Sequence, residues 1–252
     1  MIWLILPCYN EKQNLVKIIN KIKILISKKK YKIKVIIIDD GSIDGTELLF
    51  SKYKKRNKIN KNLFIYYKKH EQNQGLHKAL DTGFRYIISK SKKNDIIVSL
   101  DADNTHPIGS LPRLISNIKN GYNVVIASRY VRGAKVIGLP KYRLFLSYCA
   151  ALVFKVFFRI NVVKDFTCNF RGYEASLIKK CYKKYKQFIS ERGFACVPDI
   201  LLKIHMLDTN IKFSEVPLIL KYDLKIGRSK MKIFTTIIKT LKIVIKRKIG
   251  IL

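Results

Sequence analysis

Acidic residues are scarce in this chain. Of 252 residues only 17 are Asp or Glu, against 51 Lys or Arg, so the formal net charge is +34. Such a surface disfavours cationic partners and favours anions: nucleic acid, an anionic membrane or phosphorylated substrates. Part of the excess lies in runs such as Lys28 to Lys34 and Lys52 to Lys61, which fit a compositional drift as well as a binding site. Paired cysteines are lacking too. Cys8, Cys149, Cys168, Cys181 and Cys196 are scattered, odd in number, and form no C-x-x-C pair. That speaks against a disulfide framework or a zinc site and for reduced thiols in a cytoplasmic compartment. No run reaches the roughly 18 to 20 uncharged residues of a spanning helix. The nearest, Leu144 to Phe158, is broken by Lys155 and bounded by Arg143 and Arg159. Met1 to Pro7 is apolar but too short, and lacks the basic start, for a secretory signal. Internal repeats are absent, as are helix-turn-helix, zinc and aromatic RNA-binding signatures. Nucleic acid therefore has charge to attract it but nothing to read it.

What is present is an alternation of apolar runs and amphipathic stretches. Ile2 to Leu6, Ile33 to Ile38, Leu63 to Tyr67, Asp95 to Leu100 and Asn123 to Ser128 read as strands. Between them, Glu11 to Ser27 repeats Leu15, Ile18, Ile19, Ile22 and Ile26 at helical spacing, and His77 to Ser91 does so with Leu80, Phe84 and Ile87. Asp44 to Lys55 and Pro107 to Asn120 are the other expected helices. Strands alternating with helices predict an α/β chain with a mostly parallel central sheet flanked by helices. Ligands of such sheets bind beyond the carboxyl ends of the strands.

That rule gathers the few acidic residues. Pro7-Cys8-Tyr9-Asn10-Glu11 follows the first strand, Asp39-Asp40-Gly41-Ser42 the second, and Asp101-Ala102-Asp103 a later one. All three clusters are expected on one sheet edge. A buried strand has no use for two carboxylates at its end without something cationic there. A hard divalent ion with positions left open for a diphosphate suits Asp101 and Asp103. The other reading of the triplet is an N-cap, with Asp103, Asn104 or Thr105 capping a helix that begins near Pro107.

After Arg129 the character changes. Leu144 to Phe158 is apolar on nearly every face, as in a buried helix or one pressed into a bilayer surface. Ile211 to Pro217 and Leu218 to Tyr222 read as strands. From Met231 to Ile249, a helix places Ile233, Phe234, Ile237, Ile238, Leu241, Val244 and Ile245 on one side, with Lys232, Lys239, Lys242 and Lys246 opposite. This basic amphipathic helix either packs on the domain or contacts a membrane. The second apolar helix and the excess charge favour the membrane.

Taken in order, these segments resemble glycosyltransferase family 2, and within it the dolichyl-phosphate (polyprenyl-phosphate) mannose synthases. The motifs are Pro7-Cys-Tyr-Asn-Glu11, Asp39-Asp-Gly-Ser-Ile-Asp-Gly45, Asn73-Gln-Gly-Leu76 with Ala79 and Gly83, and Asp101-Ala-Asp-Asn-Thr-His-Pro107. Ala127-Ser-Arg-Tyr130, Asp165-Phe-Thr-Cys-Asn-Phe-Arg171, Glu215-Val-Pro217 and Gly227-Arg-Ser-Lys-Met231 follow. The early motifs are common to many members of the family; the later ones point to the polyprenyl-phosphate branch. The resemblance runs from the first strand to about Met231. It implies a nucleotide-sugar-binding α/β fold of the glycosyltransferase A type and an inverting transfer from a nucleoside diphosphate sugar to a lipid phosphate.

Carried over by position, Pro7, Tyr9, Glu11 and Asp39 hold the base and ribose, and Asp40, Asp101, Ala102 and Asp103 complete the nucleotide-sugar site. Asp101 and Asp103 hold Mg²⁺ or Mn²⁺ against the diphosphate. Relatives often carry a metal-assisting Gln where this chain has Thr105, the third expected metal residue. They often carry a small residue and Gly where Cys168 and Asn169 stand, in a loop near the sugar and acceptor. The departing diphosphate needs the metal and cationic side chains. The acceptor, a phosphate monoester, is already ionised near neutral pH, its second pKa being about 6. It needs no strong base, which fits the lack of a Ser-His-Asp or paired-acid arrangement. Arg129, Arg143, Arg228, Ser229 and Lys230 are the candidates for the acceptor phosphate. Asp103, Arg129 and Lys230 are the residues expected to matter most to catalysis.

The expected organisation is a catalytic domain over 1–230, with a nucleotide-sugar half (1–130) and an acceptor half (131–230) carrying an interface helix at 143–159. A basic membrane-surface helix follows at 231–252. The expected partners are a nucleotide sugar, GDP-mannose foremost, a polyprenyl or dolichyl phosphate and an anionic membrane surface, with no nucleic acid. The chain is expected to be peripheral, on the cytoplasmic face, without a spanning helix. The rivals are a UDP-glucose-dependent polyprenyl-phosphate enzyme and a family 2 transferase with a non-lipid acceptor.

Overall fold

Seven consecutive buried residues make β1 (Ile2–Cys8) an inner strand of the sheet, as a nearly unbroken apolar run requires. The computed structural model describes residues 1–29, 31–54, 58–158, 160–208, 210–224 and 233–249. The chain continues through α1 (Lys12–Lys29), β2 (Ile33–Asp39), α2 (Thr46–Phe50), β3 (Lys58–Asn60), β4 (Leu63–Lys69), α3 (Leu76–Ile88) and β5 (Ile96–Ser99). Next come α4 (Leu111–Lys119), β6 (Val124–Ser128), β7 (Lys135–Ile137), α5 (Lys141–Phe158), β8 (Arg171–Glu174) and α6 (Ala175–Lys184). The last elements are α7 (Cys196–Leu207), β9 (Phe213–Pro217), β10 (Ile219–Lys221) and α8 (Ile233–Lys248).

The main sheet has the order β3-β4-β2-β1-β5-β8-β6-β9, and β7 pairs with β10 in a small second sheet. Strands β4, β2, β1 and β5 are parallel, with Cys8 opposite Asp39 and Ile5 opposite Ser99. The ends of β1, β2 and β5 therefore lie side by side. Helix α3 packs on β1 and β2. All five apolar residues expected to form the inner face of α1 are buried: Leu15, Ile18, Ile19, Ile22 and Ile26.

The mostly parallel sheet contains two strands that periodicity does not reveal, the short edge strand β3 and the internal strand β8. β8 runs antiparallel between β5 and β6. Its residues, Arg-Gly-Tyr-Glu, show no apolar alternation, yet Arg171 is fully buried. The Arg171 guanidinium donates to the carbonyls of Phe166 (2.6 Å) and Val197 (2.7 Å), so the charge is solvated by backbone oxygens from two segments. Gly172 faces Ile118 and Leu114 of α4, where a Cβ would sit in ordinary van der Waals contact at 3.5 and 3.7 Å. The expected helix over Asp44 to Lys55 is shorter, α2 passing into a 3-10 turn at Ser51–Lys54. The expected helix from Pro107 begins as a 3-10 turn at Ile108–Ser110 with no side-chain cap, so the capping reading of the Asp101 triplet is not realised.

Helix α8 differs from a simple two-faced helix. Ile243, Val244 and Arg247 are buried against the domain, while Ile238, Leu241, Ile245 and Ile249 are exposed. At 100° per residue the exposed set spans only about 80° of the helix circumference, opposite Arg247. Val244 thus leaves the face it was expected to share with Ile238, Leu241 and Ile245. The side chains of Ile233, Phe234 and Ile237 lie outside the described residues. Arg247 fastens the helix: its Nε donates to Asp199 Oδ1 at 2.7 Å and its Nη2 to Ser190 Oγ at 3.2 Å. Lys203, also buried, lies 3.8 Å from Asp199 and donates to the carbonyls of Gln187 and Phe188. Burial lowers the Lys203 pKa against the opposing pull of Asp199.

Removing one partner of a buried ion pair strands the other charge. Arg247→Ala is expected to destabilise the fold by about 3 kcal/mol in urea unfolding. It should also speed amide exchange in α8 before any other element. An unchanged exchange pattern would mean that the apolar contacts of Ile243 and Val244 hold the helix alone.

Candidate active site

The loops after β1 and β2 are stitched to each other. Asn10, in left-handed backbone (φ 54°), donates its N–H to Ser42 Oγ at 2.8 Å, and its side-chain oxygen accepts from Ile43 N at 2.9 Å. Lys12 N donates to Asp44 Oδ2 at 2.9 Å. Asp39 is wholly buried; it accepts from Ser42 N at 2.8 Å and from the Tyr67 hydroxyl. Asp40 clamps the next loop, taking the N–H groups of Gln74 (3.0 Å) and Gly75 (2.7 Å) and pairing with His70 Nδ1 at 2.7 Å. Gly41 explains the glycine in this motif. Its φ is 78°, and a Cβ there would meet the backbone of Gln72 at 2.6 Å.

Beyond β5 the chain turns at once. Asn104 adopts φ 64° and bonds through its side chain to Lys21 Nζ at 2.6 Å. The turn brings both carboxylates to the cavity. Asp103 Oδ1 accepts from Thr105 Oγ1 at 2.7 Å and from Thr105 N at 3.2 Å. Asp101 Oδ1 accepts from Asn169 Nδ2 at 2.9 Å. His106 is buried behind them, its Nδ1 accepting from Asp101 N at 3.3 Å and its ring lying 5.4 Å from that of Phe170. No group of three or more His, Cys, Asp or Glu side chains suited to a metal occurs among the described residues. Two hard carboxylate oxygens with positions left for phosphate oxygens and water fit Mg²⁺ or Mn²⁺, and not a soft-metal site.

A cavity of about 660 Å³ opens over this edge. Of the residues named from the sequence, Pro7, Tyr9, Glu11, Asp40, Asp101, Ala102, Asp103, Thr105, Arg129 and Arg143 line it. Asp39 is the exception: it lies beneath the loop rather than on the wall. Arg228, Ser229 and Lys230, with the rest of the Gly227–Met231 motif, lie outside the described residues. Apolar side chains complete the wall: Leu139, Leu146 and Val153 around α5, Leu218 and Leu220 around β10, and Leu241 of α8.

Arg129 proves to be an internal partner. Its Nε and Nη2 donate to the two oxygens of Asp165 at 2.7 and 2.6 Å, and Nη2 also reaches Thr167 Oγ1 and Ser147 Oγ. Asp165 is fully buried. Burial acts to raise its pKa, but the charge and hydrogen bonds of Arg129 outweigh that and hold it below the usual carboxylate range. The bidentate pair is neutral as a unit. It ties the 165–169 loop to β6 and α5, and so places Asn169. Arg143 donates to the Tyr222 hydroxyl at 2.8 Å. Two cations that sequence reasoning passed over, Arg192 before α7 and Lys239 of α8, line the same cavity. Lys239 was expected opposite the apolar side of its helix and Arg192 sits in no motif named above, so only the packing of α8 brings them together. Cys168 also lines the cavity. Burial first, then the Asp165 charge, push its thiol up to about 12, which favours the neutral thiol.

Asp165→Asn keeps the shape and removes the charge, leaving Arg129 buried without its counter-ion. We expect a loss of about 3 to 4 kcal/mol in urea unfolding. A loss below about 1 kcal/mol, the range of an exposed pair, would show that water reaches this pair.

Comparison with known proteins agrees with this geometry. The family model described as Glycosyl transferase family 2 matches residues 3–182. The dolichol-phosphate mannosyltransferase of Pyrococcus furiosus is 30% identical over 200 residues, covering 79% of this chain and 51% of that protein. The chain thus spans about half the length of that relative. The undecaprenyl-phosphate mannosyltransferase of Micrococcus luteus is 26% identical over 227 residues, covering 90% of this chain and 86% of that one. Among solved structures, glucosyl-3-phosphoglycerate synthase from Mycobacterium tuberculosis, in complex with Mn²⁺ and UDP-glucose, superposes with a TM-score of 0.67. Its identity is 16%, over 100% of this chain and 80% of that one, a likeness of fold. With the glycosyltransferase A-type sheet, the Asp101-x-Asp103 edge and a family model matched over most of its length, the chain belongs to glycosyltransferase family 2.

Proposed function

We propose that this protein is an inverting glycosyltransferase. It moves a sugar, mannose from GDP-mannose in the first place, to a polyprenyl or dolichyl phosphate at a membrane surface. The observation that carries this reading is one cavity lined both by the acids of the sheet edge and by apolar side chains from around α5, β10 and α8. A nucleotide sugar suits the first and the phosphate end of a polyprenyl chain suits the second. The names of the Pyrococcus and Micrococcus relatives point the same way.

In this reading residues 1–130 hold the donor and 131–230 the acceptor. An oxygen of the acceptor phosphate attacks the anomeric carbon, the bond from that carbon to the diphosphate breaks, and configuration inverts. The nucleoside diphosphate leaves with the bonding pair. The nucleophile is ionised at neutral pH, so no side chain has to take a proton. Asp101 and Asp103 would hold Mg²⁺ or Mn²⁺, which supplies Lewis-acid stabilisation of the departing diphosphate. Arg129, paired with Asp165, positions the 165–169 loop and stands on the cavity wall, where it adds to the groups available to the acceptor phosphate. Arg143, Arg192 and Lys239 bring positive charge to the two phosphorylated substrates.

The outer surface supports a peripheral place on the cytoplasmic face of a membrane. Phe145, Tyr148, Leu152 and Val156 are exposed along one side of α5, and Ile238, Leu241 and Ile245 along α8, which packs against it. Lys155, Lys242 and Lys248 flank these stripes. Such an apolar face with a basic border suits an anionic leaflet. No helix among the described residues is long and apolar enough to cross a membrane.

Purified protein given a polyprenyl phosphate, Mn²⁺ and labelled GDP-mannose or UDP-glucose in parallel is expected to yield lipid-extractable label from GDP-mannose. EDTA should abolish it, and so should Asp103→Ala at an unchanged urea midpoint. Label from UDP-glucose alone would reassign the donor. No label from either, with nucleotide still bound, would favour a non-lipid acceptor. Separately, the triple variant F145S/L152S/I245S is expected to bind phosphatidylserine vesicles at least about tenfold more weakly, since each large apolar side chain buried adds ~1.5–3 kcal/mol. Unaltered vesicle binding would remove this face from the membrane.

A further inference from the structure

Each of the two carboxylates beyond β5 accepts a hydrogen bond from a neutral side chain. Thr105, on the turn itself, donates its hydroxyl to Asp103 Oδ1 at 2.7 Å, and its backbone N–H reaches the same oxygen at 3.2 Å. Asn169 approaches from the loop before β8, and its amide donates to Asp101 Oδ1 at 2.9 Å. Both side chains are enclosed, with relative exposures of 3% and 5%. Asn169 is itself fixed, because its carbonyl accepts the Ser99 hydroxyl at 2.8 Å. Ser99 is the last residue of β5, so the strand that delivers the carboxylates also anchors the residue that aims one of them.

A neutral donor on one oxygen of a carboxylate fixes its plane and directs the other oxygen. Thr105 gives its hydroxyl proton to Asp103, so the contact this group makes in the structure is with the carboxylate. An Asn oxygen could bind a hard cation, but here the NH₂ end faces Asp101. We propose that Thr105 and Asn169 are outer-sphere positioning residues of the divalent-ion site. Each would lock one carboxylate, and neither would touch the ion. The inference rests on the divalent-ion part of the functional reading. It replaces the sequence expectation of Thr105 as a metal ligand, and gives Asn169 a role that its place in the sequence did not reveal.

The test reads metal binding without turnover. Free Mn²⁺ is followed by its electron paramagnetic resonance signal as it is titrated with the full-length chain and GDP or UDP, with no acceptor present. Thr105→Val and Asn169→Ala are each expected to raise the Mn²⁺ concentration for half-saturation about tenfold, the usual lower range for outer-shell partners. Thr105→Ser keeps the hydroxyl and should bind like the parent. A crystal of the Mn²⁺–nucleotide complex should place the ion beyond about 3 Å from Thr105 Oγ1 and either Asn169 side-chain atom, outside coordination distance for oxygen ligands. Binding unaltered in both variants, or a direct bond from the ion to either side chain, overturns the proposal. A parent chain that retains no Mn²⁺ with either nucleotide overturns it together with the divalent-ion assignment. Sugar transfer that fails while Mn²⁺ binding follows the expected pattern counts against the transferase reading alone. Thermal melts of the variants separate loss of fold from loss of the site.

Discussion

Parallel pairing of β1 with β2 on one side and β5 on the other governs the whole cavity. It puts the ends of three strands in one row, with Cys8 beside Asp39 and Ser99 beside Ile5. Each strand then hands over to a loop that cannot drift, because the loops are bonded to each other. Asn10 and Ser42 tie the first to the second, and Asp40 ties the second to the segment before α3. A strand end is an accurate support only if the residues just past it are held. Here backbone N–H groups captured by side-chain oxygens do the holding.

The scarcity of acidic residues sharpens what each one does. Asp165 neutralises Arg129, Asp199 takes Arg247 and Lys203, and Asp39 and Asp40 bind backbone N–H groups. These acids join segments distant in the chain. Buried ion pairs are weak evidence for stability in themselves, since desolvation offsets much of the attraction. What they give this protein is placement: the 165–169 loop beside Asp101, and α8 beside the cavity. Most of the positive charge is left unmatched by carboxylates.

Much of the first half was legible in the sequence. Apolar runs of five to seven residues ending in acidic clusters can hardly be anything but strands of a parallel sheet facing a ligand. Leu15, Ile18, Ile19, Ile22 and Ile26 marked the inner face of α1 because a helix repeats every 3.6 residues. The second half was less legible for a definite reason. β8 carries Arg171 and Gly172 in the middle of the sheet, where burial is satisfied by backbone carbonyls and by the approach of α4. No periodicity reports such a strand. The same holds for Arg129, whose motif suggests a phosphate ligand while its nearest carboxylate, Asp165, lies 36 residues away in sequence.

By itself the sequence determined the α/β alternation, the edge where the acids collect and the presence of two apolar helices in a basic chain, because these follow from composition and local period. Only the tertiary structure decided which side chains remain available for chemistry. It paired Arg129 with Asp165 at the cavity wall, drew Asp39 beneath it, brought Arg192 and Lys239 to the wall, aimed Asn169 at Asp101, and divided the apolar positions of α8 between the domain and the outside. Hydrogen bonds and ion pairs between segments far apart in the chain make those choices, and their partners are set by packing that no local pattern encodes.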